Sequence, residues 1–173
     1  MNISINSDNF FMLPKPLEQF KMNKEKIKVV NSAQEEKTYI KSCGFIAYKV
    51  ELGIRYYLII KSRSGDVGFP KGHMEEGEDE LTTAKRELKE ETNISVLVID
   101  GFRRQIEFPL PKQKNSIKQT VYYLGRCMSD EIVCQECEVQ EAYFLPLEEA
   151  TKALTFEQTK QILLEADCYI SAL

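Results

Sequence analysis

The chain has 173 residues, 27 acidic and 23 basic, with a formal net charge of −4 at pH 7. That length supports one hydrophobic core with at most a short appendage, and 43% hydrophobic residues with only eight Gly and six Pro exclude a disordered or repetitive chain. No apolar run reaches the roughly 18 residues of a membrane-spanning helix, and the near-balanced charge excludes a broad electrostatic hold on nucleic acid.

Residues 1–37 are rich in Asn, Lys, Glu and Ser, and their apolar cluster Phe10-Phe11-Met12-Leu13 has no sustained periodicity. Lys15-Pro16 opposes helix there, because the residue before proline avoids the helical region. An N-terminal extension over 1–37 is expected to pack this cluster on a domain spanning 38–173. Met1–Asn9 shows no basic stretch leading into an apolar one, so no secretory signal is expected. Five cysteines at 43, 127, 134, 137 and 168 form an odd set without framework spacing, as suits free thiols in a reducing cytoplasm.

From Tyr39 to Val50 the residues are β-rich, and Gly53 turns the chain into a second strand at Tyr56–Ile60. Ser62–Asp66 reads as a loop, and Phe69-Pro70-Lys71-Gly72 as too short and too rich in turn formers for a regular element. Leu81, Ala84 and Leu88 share one face of a helix expected from Asp79 to Thr92. Further strands are expected at Ile94–Ile99, Phe102–Phe108, Thr120–Cys127 and Glu141–Leu145, followed by helices at Leu147–Leu154 and from Phe156 to about Cys168. A mixed sheet around one central helix, closed by C-terminal helices, indicates an α/β or α+β class rather than a βαβ repeat.

The acidity is local. Glu75 to Glu91 holds eight acids and three bases, so this stretch carries −5 and the other residues together +1. Within it Glu87, Glu90 and Glu91 fall at i, i+3 and i+4 on one helical face, where like charges oppose one another. Glu90 and Glu91 also lie in the last turn, where the helix dipole favours cations. An acidic helix face is usually just solvated. A sequence that defies local preference this way also fits a cluster of hard oxygen ligands for Mg²⁺ or Mn²⁺.

The flanking residues support the second reading. Gly72, five residues, Glu78, seven residues, then Arg86-Glu87-Leu88-Lys89-Glu90-Glu91-Thr92-Asn93-Ile94 resembles the Nudix box, with Asn93 where the box has its last glycine. Asn is tolerated in the left-handed conformation that commonly follows a helix. Phe69-Pro70-Lys71-Gly72-His73, Glu76-Gly77-Glu78-Asp79, Lys118-x-Thr120-Val121-Tyr122-Tyr123 and residues 144–150 look like the asymmetrical dinucleoside tetraphosphate (Ap4A) hydrolase branch, with similarity over about 38 to 170. The resemblance implies an α/β/α sandwich with a mixed β-sheet and the Nudix loop–helix–loop. It also implies Mg²⁺-dependent, or Mn²⁺-dependent, cleavage of Ap4A to ATP and AMP by water attack on phosphorus.

Site roles follow from the same resemblance. Metal ligands are expected at Glu87 and Glu91, with Glu90 as a further ligand or base and the Gly72 carbonyl as a backbone ligand. Glu138 is the other candidate base, beside Glu141. Glu78 and Arg86 are expected to brace the loop–helix–loop by an ion pair, with Arg86 also reaching Glu90. Lys71 and Lys118 are expected to contact phosphates, and Tyr122 to stack on adenine, though one of Tyr122 and Tyr123 should face the core. Arg103 and Arg104 either line the phosphate path or are solvated. His73, the sole histidine, is expected to be structural. Cys134-x-x-Cys137 has no second cysteine pair or suitable histidine to complete a zinc site, so no zinc is expected.

Three readings remain open. The first is the Ap4A hydrolase, acting on a small-molecule nucleotide without a membrane partner. The second is the same chemistry on diphosphoinositol polyphosphates, another nucleoside diphosphate derivative or an RNA 5′ end, the one form in which nucleic acid is expected. The third is a non-catalytic nucleotide-sensing module, disfavoured by the intact trio of glutamates.

Overall fold

The computed structural model describes residues 38–110, 115–134 and 138–173; the expectations for the extension over 1–37 and for the Cys134–Cys137 pair lie, wholly or in part, outside them. Strand β1 (Thr38–Glu51) is the spine of a seven-stranded mixed sheet. On one side it pairs in parallel with β6 (Ser116–Cys127), which pairs antiparallel with β5 (Val96–Pro109). On the other it pairs with β2 (Ile54–Ser62) through Tyr48–Glu51 and with β4 (Lys71–His73) through Ser42–Gly44. Strand β2 in turn carries β3 (Val67–Gly68) and β7 (Val139–Pro146).

Alternation along β1 assigns its two faces to two cores. Cys43, Phe45 and Ala47 pack with Leu58 and Val121 beneath Ala84 and Leu88 of helix α1 (Glu80–Thr92). Ile46 and Tyr48 face the other way, toward Ala150 of α2 (Leu147–Ala153) and Ile162, Leu163 and Ala166 of α3 (Glu157–Ser171). The sheet is therefore buried on both sides. Complete burial of a side chain such as Leu88 stabilises the fold by about 1.5–3 kcal/mol. The layering is the α/β arrangement of a mixed sheet between helices.

Two sequence expectations need correction, and one short strand is additional to them. Phe69–Gly72 is not wholly irregular, because Lys71–His73 forms β4 against β1; long-range pairing overrides local turn preference. Ile94–Ile99 and Phe102–Phe108 are not separate strands. They are one strand, β5, whose register with β6 shifts between Ile99 and Arg103 around Gly101 (φ 84°). The irregularity takes up three extra residues of β5, Asp100 to Phe102, without ending the strand. Val67–Gly68 adds the short strand β3, which nothing in so short a segment announces.

Helix α1 is delimited by chemistry visible in the sequence. The Asp79 carboxylate accepts from the Thr82 N–H at 2.7 Å, satisfying one unpaired donor of the first turn. Asn93 closes the helix at φ 62°, donating its N–H to the Lys89 carbonyl at 2.9 Å. No described helix is long and apolar enough to cross a membrane.

Candidate functional site

The C-terminal half of α1 meets β4 and the residue that leads into β7. Glu87 and Glu91, one turn apart on α1, are buried, 7% and 5% exposed. With Glu138, at the entry to β7, they bring one carboxylate oxygen each within 4.8 Å of one another. Backbone contacts set this convergence: the Lys71 N–H donates to Glu91 Oε2 at 2.8 Å, and the Arg63 N–H to the Glu138 carbonyl at 3.3 Å.

Gly72 permits the close approach of β4. A Cβ at this position would overlap the Glu87 carboxylate, so the strand can lie against α1 only if this residue has no side chain. Gly44 does the same one strand away, where a Cβ would strike the Pro70 carbonyl.

Electrostatically the trio is strained. Burial pushes the Glu91 carboxyl up to about 7, opposed by the Lys71 N–H and reinforced by the negative charges of Glu87 and Glu138. Burial also raises Glu87, although Arg86 pulls it down. Two desolvated carboxylates facing a third are the oxygen-rich, anionic donor set that a hard divalent cation requires. Glu87, Glu91 and Glu138, with the backbone of Gly72 alongside, therefore fit such an ion.

Arg86 organises the rim. It donates to both oxygens of Glu78 at 2.7 and 2.9 Å, to Glu87 at 2.8 Å, to Glu90 at 3.0 Å and to the His73 carbonyl at 3.0 Å. The guanidinium holds the Glu78 carboxyl down at about 2. Glu90 lines the same cavity but is engaged by Arg86 and lies outside the carboxylate trio. Burial, then Lys118 and Lys71, lowers the His73 imidazole, which favours its neutral form.

Two hollows adjoin here. The acidic one, about 450 Å³, contains the glutamates, Gly72, Arg86 and Ser42. The other, about 490 Å³, is walled by Ile60, Val67, Phe69, Phe108, Tyr122 and Phe156. Both share Ser62, Lys71 and Lys118, so the two cations stand at the junction. Tyr122 lines the apolar cleft but is only 2% exposed, its ring edge-on to Phe69 at 5.4 Å. Tyr123 faces α1, donating to Glu80 at 3.0 Å.

Phe108 and Phe156, whose ring centroids are 5.9 Å apart, form the open rim of that cleft, with Phe156 45% exposed. Neither stands out in the sequence as a binding residue. Phe108 was legible only as a strand residue and Phe156 only as a helix start, and the signal that singles them out is their convergence from β5 and α3. Arg103 and Arg104 are committed elsewhere, to Glu80 at 2.8 Å and to Glu165 at 2.5 Å. Cys43 and Cys127 are thiols pushed up by burial, to about 11 and about 12, so neither is reactive at neutral pH.

Residues 52–166 match the NUDIX domain family. Over 143 residues the chain is 29% identical to bis(5′-nucleosyl)-tetraphosphatase (asymmetrical) of Rattus norvegicus, covering 76% of this chain and 95% of that protein. The Caenorhabditis elegans protein of the same name is 25% identical over 134 residues, covering 76% and 97%. The crystal structure of a C. elegans Ap4A hydrolase binary complex superposes with a TM-score of 0.71 at 24% identity, covering 78% of this chain and 99% of that one. This last likeness speaks for the fold alone.

Proposed function

The chain belongs to the Nudix hydrolase family, and from that premise we propose that it cleaves dinucleoside tetraphosphates with Mg²⁺, diadenosine tetraphosphate giving ATP and AMP. The observation that carries this reading is the junction of the two hollows. An acidic, cation-ready cavity runs through a pair of lysines into an apolar cleft of the volume typical of small-ligand pockets. A polyphosphate chain bearing an aromatic base matches that sequence of chemistries. An inositol pyrophosphate has no base to fill the apolar half.

Glu87 and Glu91 hold the cation, joined by the Gly72 carbonyl. Bound there, Mg²⁺ supplies neutralisation of phosphate charge and a lowered pKa for water. Lys71 and Lys118 bind the phosphates at the junction. Glu138, the most exposed of the trio, takes the proton of the attacking water as its oxygen bonds to phosphorus and a bridging P–O bond breaks. Glu90 is tied to Arg86, and we assign the base to Glu138 rather than to it. The base of the substrate rests on the Phe108–Phe156 rim, with Tyr122 as the wall behind, where stacking on an aromatic ring is worth about 1–3 kcal/mol.

The test offers the purified protein and Mg²⁺ a panel of diadenosine tetraphosphate, 5′-triphosphorylated RNA and a diphosphoinositol polyphosphate, with products separated by chromatography. Equal amounts of ATP and AMP are expected, and Glu138→Gln is expected to lower kcat by about 100-fold or more. Faster release of pyrophosphate from RNA would move the assignment to RNA ends. Absence of hydrolysis across the panel would defeat the enzymatic reading.

A further inference from the structure

Ser42 has no place in the scheme above. It lies on β1, 1% exposed, and its hydroxyl is the one buried side-chain polar atom without a hydrogen-bond partner among the described residues. Buried hydroxyls are rarely left this way, since removal from water without a new partner costs free energy. Ser42 nevertheless lines the acidic cavity, together with Lys71, Lys118 and Glu138. The orphan therefore belongs to a residue in the wall of a space that a ligand can enter.

Strand register shows what it faces. Cross-strand partners project to the same side of a sheet, as do residues two apart on one strand. Lys118 of β6 is paired with Ile40, and Lys71 of β4 with Gly44. Ile40, Ser42 and Gly44 share one face of β1, so the two lysines flank Ser42 diagonally from opposite neighbouring strands. Gly44 contributes no side chain between them. Two ammonium groups that repel each other are brought to one cavity, with a neutral donor lacking a partner set midway.

We propose that Ser42 is a phosphate-binding residue, its hydroxyl donating to a non-bridging oxygen of a polyphosphate held between Lys71 and Lys118. This rests on the polyphosphate reading of the cavity but not on any particular nucleoside. A hydroxyl whose partner arrives with the ligand stands unpaired without it, as Ser42 does among the described residues. Hydrogen bonds to charged oxygens are among the stronger ones, so the loss should be visible in affinity.

The test is Ser42→Ala in the full chain, with three readouts. Calorimetric titration with magnesium tripolyphosphate, in a Glu138→Gln background that suppresses turnover, should show Kd rising about tenfold. Mn²⁺ affinity, followed by electron paramagnetic resonance without phosphate, should stay within twofold. Urea unfolding in EDTA should show the variant as stable as the parent or more so, since an unpaired buried hydroxyl has been removed. An unchanged tripolyphosphate Kd overturns the proposal. A parallel fall in Mn²⁺ affinity, or a destabilised ligand-free protein, overturns it too, by assigning the hydroxyl to the cation or to the fold. Failure to cleave diadenosine tetraphosphate would sink the substrate assignment while leaving these binding results intact.

Discussion

Glu87 and Glu91 are costly residues to place where they are. Both carboxylates are buried near the negative end of a helix, and each answers to little more than one donor, Arg86 for Glu87 and the Lys71 N–H for Glu91. Glu91, raised from 4.5 to about 7, favours folding below pH 4.5 and loses that contribution as pH rises through about 7. At pH 8 its charge weighs against the fold. Glu91→Gln keeps an acceptor for Lys71 and removes the charge, so the variant is expected to unfold at higher urea in EDTA, by about 2 kcal/mol, while losing turnover. A destabilised variant would show that the ionised carboxylate is well paired without a cation. This conflict was legible in the sequence, because like charges at i, i+3 and i+4, two of them in the last turn, are a local contradiction. Ser42 and Phe156 were not legible, since each is an ordinary residue made significant by strands and helices distant in the chain.

At the scale of elements, the acidic stretch from Glu75 to Glu91 separates into groups with different tasks. Asp79 caps α1, Glu78 braces Arg86, and Glu80 pins the helix start to the sheet. Glu80 accepts from Lys41 of β1 at 2.7 Å, from Arg103 of β5 at 2.8 and 2.9 Å, and from Tyr123 of β6 at 3.0 Å. Arg103 foremost, with Lys41 and Tyr123, holds its carboxyl down from 4.5 to about 2. A depressed folded-state value means stability that is complete above pH 4.5 and is lost as pH falls through about 2. Glu80→Gln is accordingly expected to cost about 2 kcal/mol at pH 7, allowing for solvent screening, and progressively less in urea titrations below pH 4.5. A deficit that stays constant down to pH 2.5 would show that shape rather than charge matters there. The helix and its caps could be read from periodicity, Asp79 and Asn93. Strand β4 could not, because Lys71–His73 is extended by pairing with Ser42–Gly44, a partner nearly thirty residues earlier, about which local propensity is silent.

For the whole molecule, the sheet decides what the site can bind. Parallel pairing of β1 with β6 brings Lys118 alongside Ile40, and β4 brings Lys71 to Gly44, so the two-lysine junction is a product of topology. Beyond it the apolar cleft is closed from another layer. The Thr155 N–H donates to the Val67 carbonyl at 3.1 Å and the Val67 N–H to Thr155 Oγ1 at 2.8 Å, tying the loop that carries Phe156 to β3. Phe156 is thus held at the cleft through the contacts of its neighbour Thr155 while its ring stays partly open to solvent. Removing the ring should cost binding of the base without disturbing the carboxylates, which lie across the lysine junction in the other hollow. Phe156→Ala is therefore expected to raise KM for diadenosine tetraphosphate about tenfold, as loss of one stacking contact implies, with kcat changed less than threefold. Affinity for magnesium tripolyphosphate, which has no base, should be the same in both proteins. A fall in kcat with KM unchanged would place the ring in the chemistry, and an equal loss of tripolyphosphate binding would mean that the two hollows do not divide base from phosphate.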